Sequence, residues 1–582
     1  MCPLPSVPHL SMTRLRKIEI RHFRGIQHFT WWPGPGLNAL IGPGDAGKSS
    51  ILDAIDLCLG ARRTAQFGDH DFFRMNVDQP IVIEITVGEL DDALKNFEAY
   101  GLYLRGFRAE DGAVLEEPDA HCETVLTIRL TVQSDLEPQW QLISERAAAQ
   151  GLTRHLAWAD RLRIAPGWLG ASGDQNLSWR RGSVLNRLSD ERADASAALV
   201  RAGRDARLRF GDEAQNQLGQ ALQQVLATAT ELGVPVGGEV KALLDAHAIS
   251  VTGGAIALHD AAGVPLRSLG LGSGRLLVAG LQRAAAMETS VVLVDEIETG
   301  LEPHRIYRLL VTLGAKEPAP PLQVFLTTHS PVVVRELSGA QLYVLRQRDG
   351  VHVAHCCGTS DDVQGTMRRH PEALLGKSVM VCEGASEVGL VRGLDQYWSG
   401  SPSISTFGVV LVDGSGSSAV QRAMAFQALG YRVALLRDSD VPPKVDEVSF
   451  KAAGGEVFAW RQPNALEDEL FQSLAIESVT QLWQLAKEKK GEDLVDAHLR
   501  SASGNKLTLP EIEKQLYVDR VITNEARLAL GQASRNSKNP WFKSVTAMEE
   551  VGFTIVGPGF ESAEPAFGTE VAKLFQWCHH HG

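Results

Sequence analysis

Two kinds of hydrophobic patterning alternate along the chain, and their order divides it. Leu15-Arg16-Lys17-Ile18-Glu19-Ile20-Arg21-His22-Phe23 alternates apolar with polar side chains, which predicts a half-buried strand, and Arg24-Gly25-Ile26 predicts a turn into a second one. Residues 81–87 and 123–132 also read as strands, so an antiparallel β-rich piece is expected before residue 140. From about 140 to 250 the period lengthens: Leu218, Leu222, Val225 and Leu226 share one face of a helix over 214–230. Unbroken apolar runs return at 290–294 and 323–328, as expected of strands buried on both faces. Residues 342–345 and 351–355 predict two strands around a turn at Asp349-Gly350, followed by a link rich in Gly, Ser and Asp over 358–365.

A new unit begins after that link. Residues 378–382, 409–412 and 432–436 predict buried strands, with helices over 387–397 and 419–429 between them. That order is β-α-β-α-β, hence a parallel sheet whose site lies at the C-terminal ends of its strands.

Bulk properties narrow the field. A chain of 582 residues is too long for one core, and two to four domains are expected. The net charge of −13 excludes a basic nucleic-acid coat; a DNA site on this chain would be confined and metal-assisted. The seven cysteines (2, 58, 122, 356, 357, 382, 578) include no C-x-x-C pair, which predicts reduced thiols in a cytoplasmic protein. No run approaches the ~18 apolar residues of a membrane span. Residues 1–11 lack a signal pattern, Met12 is an alternative start, and His579-His580-His581 reads as a tail. Between Arg180 and Arg209 eight arginines face four acids, which fits either a solvated helical surface or a phosphate-contacting one.

Candidate chemistry is densest at Gly42-Pro43-Gly44-Asp45-Ala46-Gly47-Lys48-Ser49-Ser50, which has the spacing G-x-x-x-x-G-K-[ST] between an apolar strand (36–41) and a helical pattern (50–59). Gly42, Gly44 and Gly47 would let backbone N–H groups wrap a phosphate. Lys48 would reach the β- and γ-phosphates, and Ser49, beside Ser50, would supply a hydroxyl to Mg2+. Downstream, Gly270-Leu271-Gly272-Ser273-Gly274-Arg275 precedes a helix predicted from Leu276 to about Met287. The run at 290–294 ends in Asp295, suited to Mg2+, and Glu296, suited to polarising the water that attacks a γ-phosphate. His329, after the run at 323–328, is placed to hydrogen-bond that phosphate.

The second half carries its own carboxylates. Glu383 and Glu387 follow the first strand of the β-α-β-α-β unit, and Asp438-Ser439-Asp440 follows the third; Glu467 lies farther on. Carboxylates brought so close repel one another, which a divalent cation relieves. Glu383, Asp438 and Asp440 are therefore candidate metal ligands, and two ions there would suit phosphodiester hydrolysis. Near the end, Lys538 and Lys543 are candidates to neutralise the transition state, with Lys538 preferred.

Taken together, the P-loop, the glycine-rich segment with Ser273 and Gly274, Asp295-Glu296, Gly300-Leu301-Glu302-Pro303 and Thr328-His329-Ser330 resemble the ABC-type ATPase heads of the structural-maintenance and recombination-repair families. That resemblance implies ATP as cofactor and a head-to-head homodimer in which the signature of one subunit closes on nucleotide held by the other. Gly272-Ser273-Gly274-Arg275 departs from the commoner Ser-Gly-Gly-Gln form. The Glu-Gly-x-x-Glu … Asp-x-Asp order resembles the Toprim domain, and that resemblance implies Glu387 and Glu467 as further metal ligands beside Glu383, Asp438 and Asp440. A head followed directly by Toprim is similar to the OLD-family (overcoming lysogenisation defect) nucleases, and the short form is similar to the nuclease-ATPase subunit of the Gabija antiphage system. The fold implied is α/β: an ABC-type head (12–140 and 256–357) with an inserted, dimerising helical arm (141–255), then a Toprim domain (375–582). The function implied is a Mg2+-dependent DNA endonuclease, with Mn2+ or Ca2+ as alternative ions, regulated by ATP. Catalysis would rest on Glu383, Asp438, Asp440, Lys538 or Lys543 in one site and on Glu296 in the other. DNA, a second copy and a helicase-like protein are the implied partners. A DNA-binding repair-type ATPase without nuclease activity is the rival class. A topoisomerase ranks below both, since none of the seven tyrosines has a recognisable context.

Overall fold

Strands β1 (Arg14–Phe23), β2 (Ile26–Trp31) and β3 (Leu37–Ile41) lead into helix α1 (Lys48–Leu59). The computed structural model describes residues 13–170, 177, 183–185, 195–231, 239–242, 258–285, 290–348, 350–442 and 445–580. Two units emerge: Met1–Ala39, Gly47–Thr328 and Asp349–His352 form the first; Leu40–Ala46, His329–Arg348 and Val353–Gly582 form the second.

In the first unit the alternating segments pair antiparallel. β1 lies between β2 and β4 (Ile81–Gly88), and β4 pairs in turn with β7 (Glu123–Val132). β5 (Arg105–Arg108), which also carries β6 (Ala113–Leu115), and β8 (Pro138–Leu142) pair with β7 as well. Register sets Ile18 opposite Ile85 and Ile20 opposite Ile83, so β-branched side chains stack on the face that α1 covers with Ile51, Leu52 and Ile55. Helix α2 (Trp158–Ile164) precedes β9 (Gly167–Trp168), and α3 (Ala195–Glu231) is a 37-residue helix containing the predicted 214–230.

The apolar runs form a parallel group. β10 (Val291–Val294) lies between β9 and β11 (Gln323–Thr327), with every residue of β10 and β11 buried. Gln323 is a buried polar exception, and its amide is satisfied: it accepts from Leu15 N at 2.7 Å and donates to Leu15 O at 3.1 Å and Gly34 O at 2.8 Å. Helix α4 (Leu271–Ala284) precedes β10, and α5 (Pro303–Thr312) follows it. The predicted start at Leu276 was too late: α4 begins at Leu271, so the glycine-rich segment forms its first turn. The reason is close packing, because a Cβ on Gly272 would stand 2.7 Å from Gly300 O.

β12 (Leu342–Arg348) and β13 (Val351–Cys356) follow. The link expected over 358–365 is partly helical, since a helix runs Asp361–Arg369. Then β14 (Ser378–Cys382), α6 (Ala385–Tyr397), β15 (Val409–Asp413), α7 (Ala419–Ala428), β16 (Arg432–Arg437) and β17 (Glu456–Ala459) build a fully parallel sheet in the order β15-β14-β16-β17. The remainder of the second unit is helical, including α8 (Leu466–Ser473), α9 (Asn524–Ser534) and α10 (Val545–Val551), around a core with Trp483 and Trp541.

Two glycines one helical turn apart dock α10 on the sheet's first helix. A Cβ on Gly389 would lie 2.5 Å from Val545 O, and one on Gly393 would lie 2.3 Å from Glu549 O. Only glycine allows that approach, and α10 follows the 538–544 segment directly in the chain. Trp541 anchors the same segment: it is buried and donates Nε1–H to His498 Nδ1 at 3.1 Å.

Candidate functional site

The loop between β3 and α1 has the backbone that phosphate binding requires. Positive φ angles at Gly42 (144°), Asp45 (60°) and Gly47 (84°) bend it, and turns of this kind aim successive N–H groups inward. At Gly42 any side chain is barred, because a Cβ would meet Leu345 O at 2.6 Å. Gly44 has open space around it. Gly47 caps α1, Lys48 opens the helix nearly buried, and Ser49 and Ser50 complete its first turn.

Ser49 Oγ donates to Asp295 Oδ1 at 3.1 Å, so the hydroxyl and carboxylate expected to share a cation already meet. Thr327 at the end of β11 donates to the same carboxylate oxygen and accepts the Glu296 N–H at 2.8 Å. Glu296 has φ 44°, a strained value for a non-glycine residue. Its exposed side chain accepts a hydrogen bond from Thr299 Oγ1 at 3.1 Å. Both carboxylates are thus oriented by threonines that sequence reasoning did not single out. A threonine closing the strand beside an Asp-Glu pair is the signal that was available. His329 is exposed, two residues past β11.

Arg275, read from sequence as a departure within a signature, turns out to be a clamp. Its side chain is 1% exposed, and it donates to Asp295 O at 3.1 Å, Glu296 O at 3.0 Å, Ile297 O at 3.4 Å and Thr299 O at 2.9 Å. Burial lowers its pKa, against the pull of Glu298, Asp295 and Glu296. Ser273, two residues earlier, accepts from Arg305 Nη1 at 3.0 Å, and Gly274 is buried. Arg275→Ala is expected to destabilise the first unit by about 3 kcal/mol, since it orphans several buried carbonyls. Thermal melting checks this. Arg275→Lys should rescue little, because an ammonium cannot reproduce the planar fork.

The second unit gathers carboxylates at the C-terminal ends of β14 and β16. Glu383 N–H donates to Leu436 O at 2.7 Å, and Glu383 Oε2 accepts the Asp438 N–H at 2.9 Å. Asp438 Oδ1 accepts the Leu466 N–H at 2.9 Å, tying β16 to α8. Glu387 Oε2 accepts the Gly384 N–H at 2.8 Å, and Glu467 Oε1 receives Ser386 Oγ at 3.4 Å. Glu387 and Glu467 are 3% and 5% exposed, so neither charge is hydrated. Burial, and then Glu467, push the Glu387 carboxyl up to about 7. Burial, followed by Glu387, Glu383 and Glu467, pushes Asp438 up to about 9. Burial also raises Glu467, with Lys543 and Arg535 pulling the other way.

The structure therefore brings Glu383, Glu387, Asp438 and Glu467 within one another's fields. Asp440 stands to the side, exposed, where Arg535 Nη1 donates to its Oδ2 at 3.0 Å; Arg535 Nη2 meets Asp468 Oδ2, also at 3.0 Å. Arg535 and Asp468 were missed, because nothing in the local sequence marks an arginine at the end of α9 as a partner of Asp440. Both lysines are exposed; Lys543 acts on Glu467, while the backbone N–H of Lys538 bonds Asn536 Oδ1. The donor chemistry, hard oxygens in mutual repulsion, suits Mg2+. As placed, however, each inner carboxylate engages a backbone amide or a serine hydroxyl. No group of three His, Cys, Asp or Glu side chains forms a metal cage among the described residues.

Of the arginine-rich stretch, Arg201, Arg204 and Arg209 are exposed on α3, whereas Arg180, Arg181, Arg187 and Arg192 lie outside the described residues. The described cysteines are free thiols. Among the described residues no helix is long and apolar enough to cross a membrane.

The family described as "AAA domain, putative AbiEii toxin, Type IV TA system" matches residues 37–335, just over half of the chain. No curated protein matches. Solved structures with partial likeness include an SmcHead bound to the C-winged helix domain of ScpA (16% identity, 58% of this chain and 96% of that one, TM-score 0.32). Others are the SMC head domain from Thermotoga maritima (14%, 59% and 98%, TM-score 0.27) and the recombination mediator protein RecF-ATPrS (14%, 60% and 100%, TM-score 0.29).

Proposed function

The chain belongs to this AAA-domain family, and from that premise we propose that it is a metal-dependent DNA endonuclease governed by the nucleotide state of its P-loop. The observation that carries the reading is the quartet Glu383, Glu387, Asp438 and Glu467 at one end of a parallel sheet, with two members held well above the usual carboxylate range. Buried carboxylates of that kind cluster where a protein handles protons or cations. In this reading the second unit is a Toprim domain, the first an ABC-type head, and the whole an OLD-type nuclease similar to that of Gabija, acting against phage as a dimer. The α3 arm would support that dimer, and a helicase-like protein would be its partner.

Glu383, Glu387, Asp438, Asp440 and Glu467 would hold one or two Mg2+ or Mn2+ ions. When bound, these supply acidified water and a counter-charge for the phosphate. The side chains prepare the rest. Asp438 and Glu387 give up protons to become ligands, and Arg535 holds Asp440 and Asp468 in place. Lys543, rather than Lys538, is the better candidate for neutralising the phosphorane-like charge. In the head, Lys48 and the loop amides hold the ATP phosphates, Ser49 and Asp295 orient a cation, and Glu296 takes the proton of the attacking water.

Full-length protein incubated with supercoiled plasmid and Mg2+ or Mn2+, with and without ATP, tests the reading. Nicked or linear product that a chelator abolishes and Asp440→Ala reduces is the expected result. Plasmid equally intact under every metal and nucleotide overturns the nuclease. That outcome would favour a DNA-binding ATPase without nuclease activity.

A further inference from the structure

A cavity of about 480 Å³ opens in the first unit beside the C-terminal end of α1, lined also by β8 and α2. That volume falls in the range of small-molecule sites. Its lining is unusual in charge: Arg62, Arg63, Arg161 and His155 face it with Trp140 and Trp158, and no Asp or Glu is among the lining residues. Among the described residues only Arg62 of these has a carboxylate partner, Asp56.

Arg161 is the informative residue. Its guanidinium lies over Trp140, 4.4 Å from the ring centroid, and Nε donates to Gly60 O at 3.0 Å. Its Nη2 is buried with no hydrogen-bond partner among the described residues, and no carboxylate pairs with it. Arg161 thus brings a positive charge to the cavity wall with no carboxylate counter-ion among the described residues, and an anionic group in the cavity would supply one. Arg63 repeats the arrangement at the rim, 5.3 Å over the Trp158 ring, without an ion pair among the described residues. Both indoles line the cavity, and a planar ring can stack on an indole face that its guanidinium does not cover.

We infer that this cavity is a second ligand site, separate from the P-loop, for a small planar anion of nucleotide chemistry. The phosphate meets Arg161 and Arg63, and the ring lies against Trp140 or Trp158. Separation follows from α1 itself: 12 residues run from Lys48 to Leu59, about 18 Å at 1.5 Å per residue. One helix therefore carries the P-loop at its start and this cavity at its end, so the bound anion is read by the element that also holds Lys48.

The test uses full-length Lys48→Ala protein, in which nucleotide binding at the P-loop is weakened. Titration with AMP and with GMP, followed by tryptophan fluorescence and calorimetry, is expected to show one site per chain. Adding Arg161→Gln or the exposed-site change Arg63→Gln should weaken it about tenfold, the worth of a charge-assisted hydrogen bond. Inorganic phosphate should bind more weakly than either nucleotide. Equal affinity for phosphate, no binding by either nucleotide, or binding indifferent to both arginine changes overturns the proposal. So does a short single-stranded oligonucleotide that occupies the arginine-sensitive site while AMP and GMP do not.

Discussion

Asp438→Asn protein is expected to lose metal-dependent DNA cleavage by about 10³-fold while melting at a higher temperature than wild type without metal at pH 8. The loss follows from removing one carboxylate of the inner quartet, about 4 kcal/mol of transition-state stabilisation at 1.4 kcal/mol per decade. The gain in stability follows from linkage. Asp438 has its carboxyl raised to about 9, and Glu387 to about 7, above the ~4 of an unfolded carboxylate. An acid raised on folding favours the native state fully below its unfolded pKa, and that contribution is lost as pH climbs through the folded value. Metal-free wild type should therefore weaken between about pH 4 and pH 9, and the amide removes Asp438's share. Scaled to what relief of functional-site strain usually yields, the gain is about 1–2 kcal/mol, a few degrees in Tm. Calorimetry of both proteins from pH 5 to 9, with and without Mn2+, checks it. A variant that melts lower than wild type at pH 8 would show that Asp438 is held mainly by its bond to Leu466 N–H, not strained by its neighbours.

Glu296→Gln should slow ATP turnover by 10²–10⁴-fold, the usual range for a positioned base, while leaving ATP binding intact. Asp295, Thr327 and Ser49 do not depend on the Glu296 charge for their mutual hydrogen bonds. Lys48→Ala is the comparison, because it removes a phosphate contact and should weaken binding itself by about 10–100-fold. Steady-state phosphate release and equilibrium binding of a fluorescent ATP analogue separate the two variants. DNA cleavage by each then tells whether occupancy or hydrolysis of the P-loop nucleotide matters to the proposed cleavage. Unchanged turnover in Glu296→Gln would remove Glu296 from the mechanism.

What could be read from the chain was what lies close together along it. The P-loop is contiguous, and its glycines, Lys48 and Ser49 owe their roles to neighbours within a few residues. Asp295 and Glu296 were visible because a fully apolar strand must end somewhere, and charge at such an end is conspicuous. The β-α-β-α-β order followed from short apolar runs alternating with helical patterns. Partners distant in sequence were not legible. Arg535 meets Asp440 across 95 residues, Thr327 meets Asp295 across 32, and Arg275 reaches the loop after β10. Local sequence does not separate Lys543 from Lys538; in the fold it is the Lys543 charge that acts on Glu467. The start of α4 was misplaced because glycines normally argue against a helical turn, whereas here packing against Gly300 demands them.

The Arg275 clamp has a consequence for how the first unit breathes. One guanidinium gathers the carbonyls of Asp295, Glu296, Ile297 and Thr299 from inside the first turns of α4, so neither segment can detach without exposing the other's polar groups. The turn that carries Ser273 and the loop that carries Glu296 belong to one opening unit, and amide hydrogen exchange in the two should share a single protection free energy.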